Sequence, residues 1–151
     1  MDTKTNESEV LNDLLKINND RVEGYVKAAD EAKEQDLKHL FLDMADESKT
    51  IAMALTREIL TLDGEPAVEA TTNAGKIYRV WMDIRATFNG KNRDGILAAC
   101  EFGEDAAQSA YKTALESDDL SEHRRSMVTN QKEKLQGSLE LIKQYRETLV
   151  A

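Results

Sequence analysis

From Asn6 onward, apolar residues recur every three or four positions: Leu11, Leu14, Leu15, Val22, Tyr25, Val26, Ala29 and Ala32. That spacing places them on one face of a helix and predicts a first long helix over about 7–34. Asn6 with Glu9 forms a capping-box-like start. A second stripe, Leu37, Leu40, Phe41, Met44, Ile51, Ala52, Leu55, Ile59 and Leu62, predicts a helix over about 36–62 with Asp36 as its cap. The turn between the two is short, so the helices should pack antiparallel. Asp63-Gly64-Glu65-Pro66, continuing through Thr71-Thr72-Asn73, then breaks the periodicity as the one long connection, expected to cross the bundle. A shorter helix over about 74–89 follows, with Ile77, Val80, Trp81, Ile84 and Phe88 on one side and Asn89-Gly90 at its end. The stripe Ile96, Ala99, Cys100, Gly103, Ala107, Ala110, Tyr111 and Ala114 predicts a helix over about 92–117. Its small residues let a neighbouring helix approach closely while burying less apolar area than leucine would. The last helix, over about 120–149, opens near Asp119 or Ser121 and carries Val128, Leu135, Leu139, Ile142, Tyr145 and Leu149.

The fold class is therefore all-α. Four long helices, two short turns and one long crossover carrying a short extra helix match the connectivity of a ferritin-like up-down four-helix bundle. The 151 residues suit one domain, and 40% hydrophobic residues with 5% aromatics and a single proline, Pro66, suit long amphipathic helices. A net charge of −9 opposes binding to nucleic acid or to anionic membrane surfaces. The N-terminal MDTKTNESEV has no apolar leader, and no window reaches the roughly 18 apolar residues of a spanning helix. The lone cysteine, Cys100, fits a reducing compartment, and a cytoplasmic location is expected.

Each long helix carries one polar residue inside its apolar arc: Asn18, Ser48, Glu104 and Gln131. Counted from the two short turns, Asn18 and Ser48 lie at similar depth, as do Glu104 and Gln131, so a shared polar level inside the bundle is expected. Such a layer fixes helix register through hydrogen bonds. The competing reading is a cation site at that level, in which Glu104 is helped by Glu23, Glu47 or Glu101 and the ion is iron, manganese or zinc. Di-iron bundles take two Glu-x-x-His pairs, however, and this chain has none. Its histidines, His39 and His123, fall on an outward face and near a helix start. No cofactor is expected on the first reading.

Leu11-Asn12-Asp13-Leu14-Leu15, Asn18-Asn19-Asp20-Arg21-Val22-Glu23-Gly24-Tyr25, Trp81-Met82-Asp83 and Cys100-Glu101-Phe102-Gly103-Glu104-Asp105-Ala106-Ala107 ahead of Tyr111 together resemble a bacterial family of four-helix bundles. That family has a ferritin-like fold and is known only as a domain of unknown function. The resemblance covers nearly the whole chain and implies the fold; it carries no activity. Relatives often have His-Arg ahead of the tryptophan, where this chain has Tyr78-Arg79. The wider ferritin-like group includes rubrerythrins and other di-iron proteins, which by analogy suggests redox or iron handling.

Other chemistry finds little support. Cys100 lies in an apolar stripe with no histidine at helical spacing and reads as a core thiol. The glycines form no phosphate-cradling motif. Tyr78, Trp81 and Phe88 concentrate aromatic area in the crossover, for packing across the bundle or as a partner surface. Arg124-Arg125 reads as a solvated face. The function expected is that of a non-enzymatic bundle acting through an unidentified protein partner or through self-association, with a stress-related setting. The alternative is a metal or redox protein with a degenerate carboxylate site.

Overall fold

Side-chain contacts between helices set the direction of every element. The computed structural model describes residues 3–68 and 93–148, which form α1 (Thr3–Glu31), α2 (Gln35–Thr61), α3 (Arg93–Glu116) and α4 (Glu122–Thr148). Among the described residues there is no strand. Asn18 and Arg21 on α1 meet Ser48 and Met44 on α2, while Asn18 and Arg21 meet Tyr111 and Glu104 on α3. Rising numbers on α1 thus meet falling numbers on both neighbours, so both run antiparallel to it. Glu58 and Glu47 on α2 meet Arg124 and Ser138 on α4, and Glu101 and Gln108 on α3 meet Arg146 and Lys132 on α4. All four adjacent pairs are antiparallel, and α2 and α3 point the same way.

The predicted crossover helix, with Tyr78, Trp81 and Phe88, lies outside the described residues. No described helix is long and apolar enough to cross a membrane.

The core falls into two apolar clusters. One gathers Tyr25, Ala28, Leu37, Phe41, Leu97, Cys100 and Ile142 near the α1–α2 turn. The other gathers Leu11, Leu14, Leu55, Ile59, Leu120, Val128 and Leu135 near the α3–α4 turn. Each fully buried leucine or isoleucine there contributes roughly 1.5–3 kcal/mol from removal of its side chain from water. Asn18, Arg21, Ser48, Glu104 and Gln131 lie between the clusters, all buried.

Several helix ends differ from the sequence reading. α1 starts at Thr3, so Asn6 lies within the helix instead of capping it. Glu34 precedes α2 without a side-chain cap, and Asp36 sits in the first turn, where its carboxylate receives Arg93 Nη1 and Nη2 at 3.0 and 2.6 Å. α2 ends with Asp63 in the left-handed region at φ 60°, and the Gly64 N–H bonds the Ile59 carbonyl at 2.9 Å. A Cβ at Gly64 would stand 2.7 Å from Ser8 Oγ and 3.0 Å from Ile59 Cγ2, so a side chain there would push on both neighbours. Residues 65–67 then lie against α1: Asn12 Nδ2 donates to the Glu65 carbonyl, Asn12 Oδ1 accepts the Ala67 N–H, and Asn19 Nδ2 donates to the Ala67 carbonyl.

Ser121 opens α4, its Oγ accepting the Arg124 N–H at 3.3 Å. Glu7, buried on α1, accepts the Ser121 N–H at 2.8 Å. The Arg124-Arg125 pair is not a solvated face. Arg124 bonds Glu58 at 3.0 Å and pairs with Glu7, while Arg125 donates to the Leu115 and Ser117 carbonyls at the end of α3.

Candidate functional site

The buried layer is organised by Arg21, a residue whose type alone suggests a surface position. It stands three residues after Asn18 and four before Tyr25, which puts all three on one face of α1. With Arg21 turned inward, Val22 becomes half-buried and Val26 is exposed, so the inward arc of α1 is rotated from the one the sequence predicts.

The Arg21 guanidinium is fully buried and reaches two other helices. Its Nε and Nη2 donate to Glu104 Oε2 on α3 at 3.0 and 2.7 Å. Its Nη1 donates to Ser48 Oγ on α2. Nη2 also lies 3.9 Å from Met44 Sδ and 3.6 Å from Glu47 Oε1. The guanidinium stacks over the Tyr25 ring at 5.2 Å, and the Tyr25 hydroxyl donates to the same Glu104 oxygen. Three donors therefore converge on Oε2, while among the described residues Oε1, equally buried, accepts none.

Four more hydrogen bonds extend from the arginine. Ser48 Oγ donates to Asn18 Oδ1 at 2.9 Å. Asn18 Nδ2 donates to the Leu14 carbonyl and to Tyr111 Oη, both at 2.9 Å. Tyr111 Oη donates to Gln131 Oε1 at 2.9 Å. The four polar residues singled out from the sequence are thus members of one chain of contacts, joined by Arg21, Tyr25 and Tyr111. Sequence reasoning missed Arg21, and it took the two tyrosines as purely apolar. The signal available was a basic residue at helical spacing within an apolar stripe.

Burial is the largest single influence on Arg21 and opposes its charge, but the Glu104 charge, Tyr25, the Glu104 hydrogen bonds and Glu47 together outweigh it; the guanidinium is held above its ordinary value. Burial pushes the Tyr25 hydroxyl and the Cys100 thiol up, and the neighbouring Glu104 charge pushes both further. Burial also raises Tyr111, against the lowering effect of its hydrogen bond from Asn18. No nucleophile is activated here: the thiol and both phenols are held in their neutral forms.

Of the four carboxylates proposed for a cation, only Glu47 and Glu104 approach a common centre, and that centre is the Arg21 guanidinium. Glu23 is exposed on α1. Glu101 faces α4 and pairs with Arg146 at 3.2 Å. Glu47 stands at the solvent edge of the layer, accepting a hydrogen bond from Ser138 Oγ at 2.6 Å. Among the described residues no group of three or more His, Cys, Asp or Glu side chains converges to hold a metal. His39 and His123 are both exposed. Glu104, the one carboxylate at the centre, already holds a guanidinium nitrogen at 2.7 Å, and a divalent ion there would face that fixed positive charge. This donor set does not fit the di-iron site suggested by fold analogy.

A search of curated proteins finds no match to the chain. The family model described as Domain of unknown function (DUF2383) matches residues 6–117, a span that includes α1 from Asn6 onward, α2, α3 and every member of the buried layer except Gln131. On that match, the chain belongs to the DUF2383 family.

Proposed function

We propose that this protein is a ferritin-like bundle in which an internal arginine replaces the core cation, and that it acts by contact with another protein or with a second copy of itself. The observation that carries the reading is the Arg21 guanidinium bound between Glu104, Ser48 and Glu47. A ferritin-like bundle with inward carboxylates would otherwise use metal at this depth. The all-antiparallel neighbours, with α2 and α3 joined by the one long connection, support the ferritin-like assignment.

Contact as the mode of action is supported by the apolar surface. Met53, Leu60 and Val68 are each more than half exposed and line one groove of about 480 Å³ over α1 and α2. Light scattering on the wild type and on the double variant Met53→Ser, Leu60→Ser tests this. The reading expects a mass above the monomer, or a partner recovered by cross-linking, that the double variant loses. A strictly monomeric wild type without a cross-linked partner contradicts it. Elemental analysis after growth in iron, manganese and zinc should find sub-stoichiometric metal; one equivalent per chain favours the alternative of a degenerate carboxylate site.

A further inference from the structure

The hydrogen-bond chain of the buried layer has a direction. Arg21 can only donate, and it donates to Ser48. Ser48 donates to Asn18 Oδ1, which leaves Asn18 Nδ2 to donate to the Leu14 carbonyl and to Tyr111 Oη. The Tyr111 proton then goes to Gln131, and this fixes Gln131 Oε1 inward. The amide orientation follows, because reversing Gln131 would leave the Tyr111 proton without an acceptor. Gln131 Nε2 is thereby turned away from the layer; it has no hydrogen-bond partner among the described residues and is not itself a fully buried atom, although the residue is only 5% exposed.

Gln131 borders a groove. Between α2 and α4, the most loosely joined neighbours of the bundle, lies a concavity of about 350 Å³ to which Gln131 contributes. Ile51, Ala54 and Met127 supply its apolar wall, and His123 and Lys134 are basic groups on its lining. The chain has 29 acidic residues, yet no aspartate or glutamate lines this groove. Its volume falls at the small end of the range for ligand pockets.

We propose that the α2–α4 groove binds a small carboxylate with an apolar body, whose oxygen accepts the Gln131 Nε2 donor. A chain of donors starting at a buried cation polarises each successive bond in the same sense, so the final amide N–H is a strengthened donor. A carboxylate gains more from it than a neutral carbonyl, since hydrogen bonds to charged groups are about twice as strong as neutral ones. Lys134 adds attraction, while Ile51, Ala54 and Met127 cover the apolar body.

Benzoate is the probe, titrated into the full chain and followed by calorimetry and by the amide resonances of α2 and α4. Saturable binding is expected, with benzyl alcohol, the uncharged comparison of similar size, about tenfold weaker or more. Gln131→Leu should weaken benzoate by a similar factor. Ala54→Trp fills the groove without touching the polar layer and should abolish binding, so it decides the outcome if Gln131→Leu does not fold. The proposal is overturned by an absence of saturable binding at millimolar benzoate, by benzyl alcohol binding as tightly, by wild-type affinity in a folded Gln131→Leu, or by affinity that survives Ala54→Trp.

Discussion

Two arginines in this bundle each hold carboxylates, and the contrast between them separates two kinds of ion pair. Arg21 lies at mid-depth with no exposure, bound to a Glu104 that is also fully buried. Arg93 opens α3 and clasps Glu34 and Asp36 at the α1–α2 turn, and both of its partners are about half exposed. The carboxylates of the outer pair keep about half of their exposure, so its net value is small and screened by salt. Neither member of the inner pair retains water to fall back on. The pair adds little over an apolar replacement of both residues, yet removal of either one strands a charge. A buried pair of this kind favours one arrangement of the helices more than it raises overall stability.

The largest effect is expected from Arg21→Met. It leaves the Glu104 carboxylate buried with only the Tyr25 hydroxyl as donor, and should cost about 3–5 kcal/mol in urea unfolding. An unchanged unfolding midpoint would show that water already reaches the layer. Next comes Tyr111→Phe, which keeps the ring in the core but deprives Asn18 of an acceptor and Gln131 of a donor. A loss of about 1–3 kcal/mol follows from those buried, unpaired ends, and a loss near zero would mean that both amides find new partners.

Arg93→Ala should cost about 0–1 kcal/mol, less at high salt. It also changes the acid limb of stability. The Arg93 hydrogen bond holds the Asp36 carboxyl below its ordinary value, so the unfolded chain takes up the proton first as pH falls. That contribution is fully present above the ordinary carboxylate range and is lost as pH drops through the lowered folded value. Arg93→Ala should therefore flatten stability against pH on the acid side. Acid limbs of the same slope in wild type and Arg93→Ala would remove Asp36 from the account.

The contrast also explains what the sequence made legible. The long helices could be read because apolar spacing is imposed by burial of one face, and stripes such as Leu37, Leu40, Phe41 and Met44 repeat it over many turns. Asn18, Ser48, Glu104 and Gln131 stand out as polar interruptions of those stripes. Arg21 did not, because a long basic side chain is assigned to solvent by type, and only its partner on a helix 83 positions away allows it inside. The same holds for Arg124 and Arg125, whose acceptors lie on other helices. Helix starts were misread where long-range partners outweigh local capping, as at Asp36, which engages Arg93.

The central claim is that Arg21 and Glu104 satisfy one another inside the bundle, and a double-mutant cycle with Arg21→Met, Glu104→Leu and the combined variant tests it most directly. The account predicts that each single change destabilises by about 3–5 kcal/mol while the double variant recovers most of that loss, because no charge is then left stranded. Single losses that simply add in the double variant would contradict it.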